Sequence, residues 1–294
     1  MKVGITGASG LVGTALTPAL VAAGHQVVRF VRRPSANVDD RLWDGASMSP
    51  DAVADLDAVV HLAGAGVADK RWTKAYKQQV LQSRVLGTGA VARAVAGAGT
   101  PVLLSASAIG FYGDTGDTLT DETGRRGTGF LADVCAQWEA ATTPAESASR
   151  VVHLRTGVVL TDTGGALRKQ LPIFRAGLGA PLGSGRQWLS WISLYDEIAA
   201  VLHLLTADVS GPVNLVGPAP VTNREFTKEL GRAVHRRTLP VRVPGPALSL
   251  ALGPFAKEGV LIGQRLAPAV LERSGFVFTH PDVGSALKAG LVEH

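Results

Sequence analysis

The stretch that decides the fold lies near the start of the chain and reads Thr6-Gly7-Ala8-Ser9-Gly10-Leu11-Val12-Gly13. Its glycines recur at every third position, between a strand-like run and a helix-like run. The first such glycine permits a tight turn, the second lets the backbone approach a pyrophosphate, and the third lets the helix pack closely on the sheet. An ordinary glycine turn is the alternative. The strand and helix on either side favour a dinucleotide site at the positive end of the helix.

Beyond this stretch, short apolar runs alternate with longer helical patterns through the first two-thirds of the chain. The alternation predicts βαβ units on a parallel sheet with helices on both faces. From Thr161 onward glycine and proline become frequent, which indicates a smaller, loop-rich region. The predicted strands are Val3–Thr6, Val27–Val31, Ala58–Leu62, Val102–Ala106 and Val151–Leu154, and the predicted helices are Leu11–Ala23, Lys74–Ala98 and Phe130–Ser147.

These patterns predict an α/β fold, a doubly wound parallel sheet of the Rossmann type with a smaller C-terminal substrate region. We expect residues 1–160 to form the nucleotide-binding domain and residues 161–294 to form the smaller region. The segment 188–217 is expected to return to the first domain. Within it, Ser193-Leu-Tyr-Asp196 is typical of a helix start, and Val213-Asn-Leu-Val216 is typical of one more strand.

The end of the second predicted strand bears on the choice of cofactor. NAD sites carry an acidic residue here, which holds the ribose hydroxyls and repels a 2′-phosphate. In this chain the corresponding position is Val31, followed by Arg32 and Arg33. Two solvated arginines at a strand end are the plain alternative, but guanidinium groups pair well with phosphate oxygens. The sequence therefore favours NADP(H).

Composition argues against several other classes of protein. The 294 residues carry a formal net charge of +5, which favours anionic partners, but their Lys and Arg form no long basic run and we expect no nucleic-acid partner. Cys135 is the only cysteine, and no His, Asp and Glu cluster has metal-ligand spacing, so no metal is expected. No apolar run approaches the roughly 20 residues that span a bilayer. We expect a cytoplasmic protein without a membrane partner.

Further motifs resemble the extended short-chain dehydrogenases/reductases, the superfamily of UDP-galactose epimerase, and within it the subfamily called the epimerase family. The glycine stretch and Asp57-Ala-Val-Val-His-Leu-Ala-Gly64 are similar to those of the superfamily. The marks of the subfamily run through nearly the whole chain. They are Lys70-Arg-Trp72, Ser83-Arg84, Ser105-Ala-Ser-Ala-Ile-Gly-Phe-Tyr-Gly113, Phe130-Leu-Ala132, Trp138-Glu139, Trp188-Leu-Ser-Trp-Ile192 and Gly275-Phe276.

The resemblance implies an NADP(H) site drawn from several parts of the chain. Arg84 has a physical role available as a cation that reaches the phosphates or the ribose, against the alternative of a solvated helix residue. The positions that the resemblance assigns to cofactor binding are Gly7, Ser9, Gly10, Leu11, Gly13, Val31, Arg32, Leu62, Ala63, Gln79, Arg84 and Val158.

The same resemblance reveals a gap in the catalytic residues. Members of the superfamily move a proton with a Tyr whose pKa is lowered by a Lys four residues later, while a Ser or Thr binds the substrate oxygen. Here the Ser/Thr position holds Ala108. The Tyr and Lys positions fall on Phe130 and Val134 or on Leu131 and Cys135. Apolar groups cannot relay a proton, so the standard mechanism is absent.

Two polar residues remain as catalytic candidates. Tyr112 has a phenol near the expected nicotinamide face, and Ser107 is able to hydrogen-bond a carbonyl. The first hypothesis is an NADP(H)-binding oxidoreductase or epimerase-like enzyme with a non-standard acid and an unidentified small-molecule substrate, with a homodimer left open. The second is a catalytically silent NADP(H)-binding sensor or regulatory protein.

Overall fold

The structure is a computed structural model, and it describes residues 1–34 and 37–291. The strands are β1 (Lys2–Thr6), β2 (Gln26–Val31), β3 (Arg41–Leu42), β4 (Ala58–His61), β5 (Val102–Ala108), β6 (Arg150–Thr156), β7 (Val158–Leu160), β8 (Trp188–Leu189), β9 (Trp191–Ser193), β10 (Gly211–Leu215) and β11 (Val221–Thr222). The α-helices are α1 (Leu11–Ala22), α2 (Lys74–Ala98), α3 (Phe130–Ala140), α4 (Gly165–Arg175), α5 (Leu194–Thr206), α6 (Asn223–Ala233), α7 (Gly245–Leu252), α8 (Ala269–Arg273) and α9 (Val283–Gly290).

Seven strands form one sheet in the order β10-β6-β5-β4-β1-β2-β3. Strand β1 pairs in parallel with both β2 and β4, and β4 pairs in parallel with β5. The strand order reverses at β1, because the chain proceeds to β2 on one side and later to β4 on the other. Open α/β sheets bind ligands beyond the carboxyl ends of their strands at such a point. The predicted doubly wound sheet is confirmed, and the glycine stretch lies directly after β1.

The long helix α2 has the bounds that its sequence predicts. Thr73 caps its first turn, since the hydroxyl of Thr73 accepts a hydrogen bond from the amide of Tyr76. The predicted helix from Phe130 to Ser147 is too long, because α3 ends at Ala140. Pro144 has no N–H to donate to the carbonyl of Ala140, and the chain continues there as a short 3₁₀ turn. The short strands β3, β7, β8, β9 and β11 were not predicted, since two or three residues show no periodicity.

The chain divides into two compact units. The first unit comprises residues 1–107, 134–155 and 198–213, and the second comprises residues 108–133, 156–197 and the chain from residue 214 onward. This division is interleaved, whereas the sequence suggested a single boundary at residue 160 with one returning segment. No helix among the described residues has the length and apolar character needed to cross a membrane.

Each unit has its own apolar core. In the first unit, side chains of the sheet, of α2 and of the segments before β4 pack together, and they include Val28, Phe30, Trp43, Val53, Leu56, Val59, Val91, Val95 and Leu103. In the second unit, the core includes Leu160, Leu167, Leu171, Phe174, Trp191, Phe226, Leu230, Val283 and Leu287.

Candidate functional site

The chain turns from β1 directly into α1 and forms the glycine loop, residues 7–13. Gly7 has a φ of 71°, a conformation that residues with side chains rarely adopt. A Cβ on Gly7 would lie 2.8 Å from the carbonyl carbon of Leu62 and 2.9 Å from the amide nitrogen of Ala63. A Cβ on Gly13 would overlap the carbonyl oxygen of Gly7. The loop therefore requires glycine at these positions, and it packs on the Leu62–Ala63 backbone.

The first turn of α1 faces outward with its amides uncapped. Gly10 is the N-cap residue and has no side chain with which to cap that turn. The amide of Gly10 itself donates to the carbonyl of Gly7 at 2.9 Å. Ser9 and Gly10 are exposed, and Leu11 is partly buried. An uncapped, glycine-lined helix start with its positive dipole end is an arrangement that fits a phosphate group.

Thr6, the residue directly before the glycine loop, begins a series of hydrogen bonds between buried polar side chains. The hydroxyl of Thr6 lies 2.7 Å from Nδ1 of His61, and Nε2 of His61 lies 3.0 Å from the hydroxyl of Thr88. Trp138 donates from Nε1 to the same Thr88 hydroxyl at 2.9 Å. Burial lowers the pKa of His61 to about 4. Neutral His61 thus ties the carboxyl end of β4 to β1 and α2, which is a structural role.

The end of β2 carries the arginine pair that the sequence singled out. Arg32 and Arg33 are exposed, and Val31 is partly buried in the position where NAD sites hold an acid. The acid that does lie close to this strand is Asp40. Arg29 binds it through two hydrogen bonds of 2.8 and 2.7 Å. Asp40 is therefore engaged by Arg29.

Helix α2 places one arginine in the interior of the first unit. Arg84 is 8% exposed, and its Nη1 donates to the carbonyls of Ala65 (2.8 Å) and Val80 (3.1 Å). Its guanidinium lies over the ring of Trp138, and burial lowers its pKa. The ion pairs found among residues 1–34 and 37–291 do not include Arg84. A buried cation without a carboxylate partner fits an anionic ligand. Gln79, on the same helix, is exposed.

The carboxyl end of β5 carries a serine bound to an acid. The hydroxyl of Ser107 donates to Oε1 of Glu139 at 2.6 Å. Arg155 binds both oxygens of the same carboxylate, from Nε and from Nη2, at 2.8 Å each. Ser105, two residues earlier, is buried and its hydroxyl has no hydrogen-bond partner in the described part of the chain. Arg155 was not predicted, although a charge ending an apolar strand is a sequence signal for such a pair.

The positions of the missing Tyr and Lys lie on α3. Cys135 and Val134 are buried, and the amide of Leu131 donates to a carboxylate oxygen of Glu258. Phe130, Leu131 and Val134 have no group that exchanges a proton, so Cys135 is the only ionisable side chain at these four positions.

Tyr112 and Val158 belong to the second unit. Tyr112 is 3% exposed, and its phenol donates to Oδ1 of Asn214 at 2.7 Å. The amide nitrogen of Asn214 in turn donates from its side chain to the carbonyl of Ala267. Val158 begins β7, where it pairs with Trp191 in β9. The phenol of Tyr112 is thus engaged within its own unit.

The second unit also contains an acid that sequence reasoning missed. Glu197 is fully buried at the start of α5, and Thr156 donates to its Oε1 at 2.8 Å. Its Oε2 has no hydrogen-bond partner among the described residues. Burial raises the pKa of Glu197 to about 8, and the bond from Thr156 offsets part of that shift. A charged residue directly before the apolar run 198–205 was the available signal.

No group of three or more His, Cys, Asp or Glu in the described residues is arranged to hold a metal ion.

Comparison with known proteins adds family relationships to this geometry. A family model described as the NAD dependent epimerase/dehydratase family matches residues 3–217, and one described as a domain of unknown function, DUF1731, matches residues 243–289. An epimerase family protein of Mycobacterium tuberculosis is 53% identical over 97% of this chain and 96% of its own length.

Two crystal structures are similar over nearly the whole chain. That of human epimerase family protein SDR39U1 (isoform 2) with NADPH has a TM-score of 0.89 and 32% identity, and the match covers 99% of both chains. That of the nucleoside-diphosphate sugar epimerase from Corynebacterium glutamicum has a TM-score of 0.82 and 36% identity, and covers 99% of this chain and 58% of the other. The resemblance drawn from the sequence motifs is confirmed.

Proposed function

We propose that this chain, which belongs to the NAD dependent epimerase/dehydratase family, is an NADP(H)-binding protein of the oxidoreductase or epimerase-like type. The observation that carries the proposal is the glycine loop, where the uncapped first turn of α1 offers its amides to a pyrophosphate. Arg84 adds a buried cation in the same unit. The human relative, solved with NADPH, supports the same cofactor.

The preference for the phosphorylated cofactor rests on Arg32. Val31 cannot accept hydrogen bonds from the ribose hydroxyls as an acidic side chain would. Arg32 is exposed and takes no part in the ion pair between Arg29 and Asp40. A guanidinium–phosphate bond contributes about 1.5–3 kcal/mol. We therefore expect Arg32→Glu to weaken NADPH binding roughly 10- to 100-fold and to leave NADH binding nearly unchanged.

Titration of NADPH and NADH by fluorescence and calorimetry tests this proposal. Arg33→Glu is the matched control, since it makes the same change of charge one residue further on. Selective loss with Arg32→Glu supports the assignment, whereas equal losses of NADPH and NADH, or equal effects of the two variants, contradict it. A wild-type protein that binds neither dinucleotide while folded would overturn the proposal as a whole.

The chemistry that we propose at Ser107 differs from the standard relay. When bound, a nicotinamide accepts or supplies a hydride. Ser107 directs its only proton at Glu139, so its oxygen presents lone pairs and is suited to accept a proton from a substrate hydroxyl. Glu139, held by Arg155, would then accept the Ser107 proton.

A specific observation also supports the second candidate function, a silent NADP(H)-binding sensor. The phenol of Tyr112 is engaged by Asn214, and the Tyr and Lys positions are occupied by apolar residues or by Cys135. Stopped-flow absorbance of the bound cofactor, with NADP⁺ and a panel of secondary alcohols and with NADPH and carbonyls, separates the two. If no compound changes the bound cofactor, the sensor function stands.

If a compound does react, two variants identify the proton path. Ser107→Ala should abolish the turnover while leaving NADPH affinity intact, because Ser107 is expected to touch the substrate and not the phosphates. Tyr112→Phe should retain it. The reverse result would assign the proton to the Tyr112 phenol and contradict the role proposed for Ser107.

A further inference from the structure

Two segments of the second unit hold the excess positive charge of the chain. Residues 165–184 and 224–243 contain nine Lys and Arg and two Glu, a formal charge of +7, whereas the whole chain carries +5. The rest of the chain is therefore slightly acidic. No long basic run is visible in the sequence, because the basic residues come from α4, from α6 and from the segments that follow these helices.

The fold brings these two segments together. Arg236, after α6, donates from Nε to the carbonyl of Arg175 at the end of α4. Three residues further on, the amide of Leu239 donates to the carbonyl of Gly179 at 2.7 Å. The segments after the two helices therefore run side by side, which brings exposed residues of both close together.

That surface combines arginines with exposed aliphatic side chains. Ile173, Leu178, Leu239 and Val241 are 52%, 59%, 36% and 62% exposed. Apolar side chains scattered singly are ordinary on a protein surface, whereas four within two adjoining segments are a local concentration. We call it the basic-apolar face, which consists of Ile173, Leu178, Leu239, Val241, Arg175, Arg232, Arg236, Arg237 and Arg242.

Acidic residues leave most of this charge uncompensated. Arg232 pairs with Glu229 one turn away on α6. In the described ranges, 1–34 and 37–291, no other arginine of the basic-apolar face takes part in an ion pair. The face therefore complements a negatively charged surface that also accepts aliphatic groups.

We propose that the basic-apolar face docks on an anionic phospholipid surface. Guanidinium groups bind headgroup phosphates, and aliphatic side chains enter the boundary with the acyl chains. Like charge disfavours pairing of this face with its copy on a second chain. Nucleic-acid interfaces are more polar and wetter than a face that exposes four aliphatic side chains. The expectation of no membrane partner rested on the lack of a spanning segment, which peripheral docking does not need.

Vesicle flotation of the full chain tests the proposal, with phosphatidylcholine vesicles compared with vesicles that also contain phosphatidylglycerol. We expect binding to the anionic vesicles only, and loss of it at high salt as the charges are screened. A basic residue at such a surface contributes roughly a fivefold factor, so R236Q/R237Q should weaken binding about 25-fold. The matched control R93Q/R125Q removes two exposed arginines elsewhere and should bind as the wild type does.

A second double variant tests the apolar contribution. Leu178→Asn with Val241→Asn keeps every charge and should weaken vesicle binding roughly tenfold, because the aliphatic groups no longer enter the boundary. The positions changed in the two double variants, Leu178, Arg236, Arg237 and Val241, are all exposed, so thermal unfolding should show that both variants are folded.

Three outcomes would overturn the proposal. The first is no binding to anionic vesicles at low salt. The second is that poly-glutamate binds as tightly as the anionic vesicles do and that the Leu178→Asn and Val241→Asn double variant does not weaken this binding. That result would assign the face to an acidic protein segment. The third is a dimer in light scattering that R236Q/R237Q converts to a monomer, which would assign it to a second copy of the chain.

Discussion

Glu197→Gln should change how the stability of the protein depends on pH. The pKa of buried Glu197 is about 8 in the folded chain, against 4.5 for the ordinary carboxyl group. Between these values the folded chain holds a proton that the unfolded chain releases. The free energy of unfolding therefore falls as pH rises through this window, by about 1.4 kcal/mol per pH unit and by at most about 5 kcal/mol in total.

Glutamine keeps an oxygen that accepts the bond from Thr156 and removes the titration. Wild type and variant should therefore have similar stability at about pH 5, where the acid is protonated, and the variant should be more stable by about 3–5 kcal/mol at about pH 9. Urea unfolding followed by circular dichroism across this range measures the difference. Glu272→Gln, at an exposed position, is the control and should show no such divergence. Parallel curves for wild type and Glu197→Gln would refute the buried, protonated state.

Three other variants or conditions test the first unit. His61 has a pKa of about 4 against 6.5 for the ordinary imidazole, so stability should be lost as pH falls through that window, by at most about 3 kcal/mol, as urea unfolding at several pH values will show. Gly13→Ala places a Cβ against the carbonyl of Gly7 and should lower both thermal stability and NADPH affinity; an unchanged affinity would contradict the loop assignment. Arg155→Met leaves the Glu139 carboxylate without its cationic partner and should lower the free energy of unfolding in urea by about 3–5 kcal/mol. A decrease of less than about 1 kcal/mol, which is typical of a surface ion pair, would refute burial of the pair.

The sequence predicted the sheet well because buried parallel strands leave a strong signal. Each is a continuous apolar run, and the helices between them begin and end at residues with recognisable roles, such as Thr73 before α2. The assignment of distant segments to the two units was harder to predict. The sequence suggested that residues 188–217 return to the first domain, but the narrower range 198–213 depends on packing rather than on a local pattern, and so does the assignment of residues 108–133 to the second unit.

The candidate site likewise contains features that a local pattern predicts and contacts that depend on the tertiary fold. The glycine loop is local, so its steric causes could be inferred from spacing alone. For Arg84, the sequence predicts only that the residue lies on a helix. Its burial against Trp138 and its hydrogen bond to the carbonyl of Ala65 depend on the tertiary fold. The engagement of Ser107 by Glu139 likewise joins residues 32 positions apart, which no spacing reveals.

The pair formed by Ser107 and Glu139 bears on what the absence of Tyr and Lys means. Loss of a phenol and an ammonium removes one proton path, but a hydroxyl that donates to a carboxylate at 2.6 Å is itself the start of another. Arg155 holds that carboxylate through two bonds, so its position does not depend on the missing residues. If Ser107 accepts the proton of an alcohol and passes its own proton to Glu139, the same two side chains return a proton to the carbonyl in the reverse reaction, as the Tyr and Lys pair does. The decisive measurement is therefore whether Ser107→Ala abolishes hydride transfer in both directions, from an alcohol to NADP⁺ and from NADPH to a carbonyl.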